Sequence, residues 1–433
     1  MTPKQRLALA AYSLGWWLAA PLAALYLLWR SLAQAEYRRH WSERFLGHGP
    51  PPPAGRPLIW VHAVSVGETR AAQPLIEQLA REHPSAAFLL THMTPTGRAV
   101  GQSIAAALPG RVAQRYLPYD LRRAVARFLR EVQPSIGVVM ETEIWPNLLR
   151  GARRAGVPML LANARLSEKS AARGRRFAAL LRPAAAGFDR IAAQSEADRA
   201  RIGQWYQGSI DVVGNLKFDL AMDEALVAAG RALRAEWGAA PAWLFASTRD
   251  GEERLLLDAL ERRRLPHEAG PVLLLVPRHP QRFDEVARLV EGQGLTCLRR
   301  SQGQWRAQMP PQALLLGDTM GEMALYYAAA DVALIGGSLR NFGAQNLIES
   351  CAAGTPVVIG PSTFNFAQIT ADAVAAGAAM QVRDADEALA AMDKLCASPE
   401  QLASMRAAAL AFAAAHRGAT ARVARIAGEL LAR

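Results

Sequence analysis

GGSLRNFGAQNLIESCAAGTPVVIGP, residues 336–361, is the stretch on which the fold turns. It continues the run DVALI (331–335), whose Val, Ala, Leu and Ile are what a strand buried on both faces requires. A glycine-rich turn follows, then a helix opening near Asn346, a good N-cap, with Glu349 in its first turn. Gly354 closes that helix, and TPVVIG (355–360) reads as the next short buried strand. Strand, glycine loop, helix N-terminus and strand form the unit that offers backbone N–H groups to a phosphate. The same unit occurs in α/β folds without any ligand, so the rest of the chain decides its meaning.

On either side of this stretch the alternation continues. WLFAST (243–248), PVLLLVPRH (271–279) and ALLLGDT (313–319) join DVALIGG and TPVVIG as five candidate strands. The helices EERLLLDALERRR (252–264) and FDEVARLVEGQG (283–294) fall between them, and an Ala-rich helical tail follows that could pack across both halves. An earlier set reads the same way: LIWVHAV (58–64), AAFLLTH (86–92), RYLPYD (115–120), SIGVVME (135–141), PMLLANARL (158–166), DRIAAQS (189–195) and DVVGNLKFD (211–219). Strands alternating with helices imply an α/β protein with doubly wound parallel sheets. Its 433 residues are too many for one ordinary domain. The reading is an anchor and basic flank over 1–45, a first Rossmann-like domain over 46–220 and a second over 221–433. A cleft between two such domains is the expected ligand site.

Residues 7–29 carry no charge, and as a helix they would reach about 34 Å, enough for a hydrocarbon core of about 30 Å. Trp16, Trp17 and Trp29 suit a membrane interface, and the arginines at 30, 38, 39 and 44 place the body on the cytoplasmic side. The run is too long for a signal peptide and lacks a small-residue cleavage site, so an uncleaved anchor is expected. Composition is compatible both with a span and with a helix lying in one leaflet. The formal charge is +12, almost all of it arginine, since Lys occurs only at 4, 169, 217 and 394. That balance calls for an anionic partner. No zinc finger, Arg/Gly tract or basic-aromatic stripe points to nucleic acid. Cys297, Cys351 and Cys396 have no metal spacing, and no His or carboxylate constellation suggests a metal.

In an open parallel sheet, ligands bind at the carboxyl ends of the strands, so the residues found there are the candidates. SVGET puts Glu68 at a helix N-terminus after the first strand, and METEIWP puts Glu141 and Glu143 directly after a buried strand. GNLKFD offers Lys217; VPRHPQR offers Arg278, His279 and Arg282; GDTMGE offers Glu322 after a turn. Each also has a plain structural use: an N-terminal acid favours the helix dipole, and paired arginines can be a solvated face.

Taken together, SVGE (65–68), THMTPTG (91–97), YLPYDL (116–121), METEIWPNL (140–148), ANARLSEKS (162–170), GNLKFD (214–219), LVPRHPQRF (275–283), GDTMGE (317–322) and GPSTFNF (360–366) resemble one family. It is the 3-deoxy-D-manno-octulosonic acid (Kdo) transferases of lipopolysaccharide assembly, glycosyltransferases of the GT-B fold. The resemblance implies transfer of Kdo from CMP-Kdo to lipid IVA at the inner membrane, without cofactor or metal. It implies Glu68 as general base, with Glu141 and Lys217 assisting the transition state. It implies CMP binding by Pro277 and Arg278, by Met320, Gly321 and Glu322, and by Asn346, Leu347, Ile348 and Glu349. The arginine excess then suits a bis-phosphorylated acceptor and anionic lipid. Where the family pattern resembles GGHNPLEPA, this chain has GAQNLIESC, with Gln345 in place of His. A GT-B enzyme using another nucleotide sugar, or a membrane-anchored nucleotide-sugar-binding protein without activity, are the alternative readings.

Overall fold

The computed structural model describes residues 1–53, 56–219, 222–263, 270–305 and 313–432. Its chain divides into two compact units, Met1–Leu220 with Arg417–Arg433, and Ala221–His416.

The first unit is built on seven strands, β1 (Leu58–His62), β2 (Ala87–His92), β3 (Val112–Tyr116), β4 (Ile136–Met140), β5 (Met159–Ala164), β6 (Arg190–Ala193) and β7 (Ser209–Val212). They pair in the order β3-β2-β1-β4-β5-β6-β7, every pairing parallel. The central strands are buried end to end because helices cover both faces. Alternation divides their side chains between two cores. Ile59, Val61, Phe88 and Val138 face the helices Val66–Glu82 and Ala419–Leu431, while Trp60, Leu89 and Val139 face Arg122–Val132 and Pro146–Arg154.

The second unit repeats the plan with β8 (Ala242–Thr248), β9 (Val272–Pro277), β10 (Thr296–Arg299), β11 (Ala313–Leu316), β12 (Val332–Ile335), β13 (Val357–Ile359) and β14 (Ala379–Gln381). Their order is β10-β11-β9-β8-β12-β13-β14, again all parallel. Five of these were expected. The two edge strands, TCLR and AMQ, are too short and too polar to show a buried run.

One boundary differs from the expectation. The sequence reading carries the second domain through residue 433, whereas the chain returns at Arg417 to the first unit. Asp219 holds the start of the returning helix. Its carboxylate accepts from the Gly418 and Thr420 N–H groups at 2.6 and 2.5 Å, capping the helix Ala419–Leu431. The apolar side of that helix, Val423, Ile426 and Leu430, is then buried in the first core.

The apolar N-terminal stretch is the helix Pro3–Ala33, opened by a Thr2–Gln5 capping box. It is long and apolar enough to cross a membrane, and only 6% of its most apolar window is buried. One side touches the first unit: Ser13 Oγ donates to Asn147 Oδ1 at 3.1 Å, and Trp16 stacks on Tyr119 and Trp145.

Candidate active site

Glu68 sits where the helix Val66–Glu82 begins, after β1. Ser65 caps that helix by accepting from the Glu68 N–H, and its hydroxyl donates back to Glu68 Oε1 at 3.0 Å. The other carboxylate oxygen accepts from the Val64 N–H at 2.8 Å. Those bonds fix the rotamer, and they and the helix N-terminus favour the charged form. Burial outweighs them, and the nearby carboxylates Glu141 and Glu143 push the same way, so Glu68 is raised to about 7.

Glu141 is the residue immediately after β4, and it adopts a left-handed backbone, φ +60°. A non-glycine residue pays for that conformation in local strain, which here turns a nearly buried carboxylate toward two cations. Lys217 Nζ approaches one oxygen at 3.1 Å and Arg165 Nε the other at 3.1 Å. Lys217 follows β7, in a 3₁₀ turn over Leu216–Asp219. Asn163, fully buried and also left-handed at φ +54°, accepts from the Leu216 N–H at 3.1 Å and so fixes that turn. Glu143 points elsewhere, accepting from Trp145 Nε1 at 2.6 Å. Thus Glu141 and Lys217 are in contact, and the Glu141 charge is felt at Glu68. Arg165 and Asn163 belong to the same cluster and were not singled out from the sequence. Arg165 stands one residue beyond β5, so the strand-end filter reaches it when applied to every strand.

His62 and His92 have structural partners: His62 Nδ1 meets Thr91, and His92 Nδ1 meets the Ala63 carbonyl oxygen. Burial lowers them to about 3 and about 4, so both are neutral.

In the second unit Pro277 ends β9, and the Arg278 N–H continues the sheet by donating to Thr248 O at 2.9 Å. The Arg278 guanidinium is exposed, and its Nε donates to Gln345 Oε1 at 3.1 Å. The glutamine that departs from the family pattern is therefore the neighbour that orients this arginine. Arg282, by contrast, is committed to structure, forking onto the fully buried Glu253 at 2.8 and 3.2 Å.

Met320 is 60% exposed and Gly321 takes φ +86°, a turn that sets Glu322 next to Arg300 at 2.8 Å. Arg300 first, then the Thr319 hydroxyl, holds the Glu322 carboxyl below its ordinary range. Asn346 and Glu349 are bonded to each other, Nδ2 to Oε1 at 3.1 Å, and Asn346 Oδ1 accepts from the Ile348 N–H at 3.0 Å. The helix itself is short, Ile348–Ala353, with Leu347 at its N-cap position and Gly354 closing it in the left-handed conformation. The side chains of Leu347 and Ile348 are buried at 0% and 1%, so what they can present to a ligand is backbone.

The glycine loop is held largely by bonds of its own. Its first N–H groups have an internal acceptor, as Gly337 and Leu339 donate to the buried carboxylate of Glu252 at 2.6 and 2.9 Å. Gly343 donates to Ser362 Oγ, and Ala344 and Gln345 donate back to the carbonyls of Gly337 and Gly336. Glu252 is thus an internal anion that holds the first part of the loop. Among the described residues there is no group of three or more potential metal ligands.

Residues 39–220 match the family profile described as 3-deoxy-D-manno-octulosonic-acid transferase (kdotransferase), and residues 302–411 match glycosyl transferases group 1. The chain is 46% identical over 411 residues to the 3-deoxy-D-manno-octulosonic acid transferase of Bordetella pertussis, covering 93% of this chain and 95% of that one. It is 36% identical over 377 residues to the enzyme of the same name from Haemophilus influenzae, covering 85% and 86%. Among solved structures, Anabaena Alr3699/HepE in complex with UDP is similar in fold, with a TM-score of 0.56 at 14% identity, covering 87% of this chain and 100% of that one.

Proposed function

Because the chain belongs to the 3-deoxy-D-manno-octulosonic acid transferase family and is a glycosyltransferase, we propose that it moves Kdo from CMP-Kdo to a hydroxyl of lipid IVA, in lipopolysaccharide assembly, by inverting displacement. The observation that carries the mechanism is the environment of Glu68. A carboxylate held by Ser65 and Val64 and raised to about 7 is matched to taking a proton near neutral pH.

In this reading Glu68 accepts the proton of the attacking acceptor hydroxyl. The hydroxyl oxygen bonds to the anomeric carbon of Kdo as the bond to the CMP phosphate breaks, and CMP departs with that electron pair. Lys217 and Arg165 neutralise Glu141, so the cluster carries a fixed field that favours the charge separation of the transition state. Arg278, oriented by Gln345, stabilises the departing phosphate, and a monophosphate leaving group can be served by protein cations without metal. Glu349 and Asn346 accept and donate at the ribose, while Met320, Gly321 and Glu322 contact the base. The helix Pro3–Ala33 holds the enzyme on the inner membrane with its body on the cytoplasmic side.

The test is a transfer assay with CMP-Kdo and lipid IVA in detergent, read by mass spectrometry, comparing wild type with Glu68→Ala. Kdo-bearing product from wild type alone supports donor, acceptor and base together. Folded wild-type protein that yields no product rejects the substrate assignment, and full activity in Glu68→Ala rejects the base.

A further inference from the structure

Between the helices Arg122–Val132 and Pro146–Arg154 of the first unit runs an open groove of about 890 Å³. Its floor is apolar, where Gly151 packs so closely that a Cβ there would meet Leu129 Cδ1 at 2.9 Å and Val125 Cγ1 at 3.1 Å. Its walls carry Arg122, Arg123, Arg130, Arg150 and Arg154. Arg127, on the first of these helices, pairs with Glu131 at 2.8 Å, but the five groove arginines have no carboxylate partner among the described residues. Desolvation and then the charges of Arg154, Arg122 and Arg6 pull the Arg150 guanidinium down. Folded surfaces usually intersperse both signs, and five unpaired guanidiniums in one groove repel each other unless an anion joins them.

Guanidinium forks match phosphate oxygens, and several converging on one groove suit a phosphate ester. The position of the groove says where that phosphate comes from. One wall is the helix against which the anchor lies: Asn147 takes the Ser13 hydroxyl, and Arg150 Nη1 is 3.5 Å from Met1 Sδ. The anchor's other side exposes Leu14, Leu18 and Leu22, at 58%, 59% and 66%. An apolar helix beside a basic groove is the two-signal arrangement that holds a protein to an anionic bilayer.

We propose that this groove binds the phosphate of an anionic phospholipid and docks the first unit on the bilayer surface beside its anchor helix. The proposal rests on the membrane placement of that helix.

The test uses the full chain in nanodiscs of phosphatidylcholine alone or with phosphatidylglycerol. Arginine modification by phenylglyoxal is followed site by site by mass spectrometry. Arg122, Arg150 and Arg154 should react at least about fivefold more slowly in the anionic discs, while exposed Arg231 and Arg254 are unchanged. Equal rates at the groove in both discs overturn the groove while leaving the anchor standing. Failure to enter either disc overturns both. Equal protection by millimolar inorganic phosphate in detergent marks a free-anion site and overturns the lipid assignment. In detergent without phospholipid, Arg150→Gln/Arg154→Gln should keep the wild-type KM for acceptor. A severalfold rise would give the groove to the acceptor instead.

Discussion

Lys217 Nζ lies 3.1 Å from Glu141 Oε1 although 76 residues separate them in the chain. They meet because β4 and β7 are parallel members of one sheet, whose carboxyl ends lie on one edge. The pair is also shared, since Arg165 takes the second oxygen of Glu141. This makes the cluster a unit rather than a set of independent residues, and its variants should behave that way.

Lys217→Ala should lower kcat by about 10²–10³, the range seen when a preorganised electrostatic group is removed, with little change in donor KM. Glu141→Gln should cost a similar factor. The double variant should lose far less than the product of the two, because each single change already disables the pair. Steady-state kinetics of the four proteins measure this directly.

The pH profile follows from Glu68. A base must be ionised, so kcat/KM should rise about tenfold per pH unit below about 7 and level off above it. Stability runs the opposite way. The folded value lies above the ordinary 4.5, so folding takes up a proton between the two, and the contribution of Glu68 to stability falls as pH rises through about 7. Glu68→Gln should therefore gain in relative stability between pH 5 and pH 8 while losing activity, as denaturant midpoints at the two pH values would show.

Glu252→Ala should destabilise the second unit by about 1–3 kcal/mol, because the N–H groups of Gly337, Leu339 and Arg249 lose their acceptor in a buried place. Urea unfolding followed by intrinsic fluorescence checks the magnitude. If the loop were a phosphate cradle instead, the same change would enhance nucleotide binding, and calorimetric titration with CMP separates the two.

Gln345→Ala removes an acceptor of Arg278 Nε and should raise the donor KM about three- to tenfold, the net value of one exposed hydrogen bond, with kcat within about twofold. Gln345→His, which restores the pattern of the resembling family, should sit closer to wild type. A large fall in kcat for Gln345→Ala with KM unchanged would show that Arg278 acts only in the transition state.

The sheets were legible because their central strands are unbroken apolar runs: IGVVM and VALI cannot face water on either side. The candidate site was legible for the same reason, since buried strands announce their own ends, and Glu68, Glu141 and Lys217 stand there. Glu252 was not. Nothing in EERLLLDALERRR sets its two leading acids apart, and only the three-dimensional neighbourhood shows them at 1% and 0% exposure. Nor was the pairing of Arg278 with Gln345 legible, because 67 residues separate them and both lie in loops, where no periodicity reports direction. The last helix was legible as helix, but not its cap, because Asp219 is a single side chain nearly two hundred residues upstream.

That helix has a consequence for how the protein is made. Val423, Ile426 and Leu430 share one core with Leu75 and Leu79, so the first unit stays unfinished until the entire second unit has left the ribosome. During synthesis the helix Val66–Glu82 carries an apolar flank with no cover, a period of vulnerability to chaperones, proteases and aggregation. A chain cut after His416 would carry that exposure permanently, with every candidate catalytic and donor-site residue still in place.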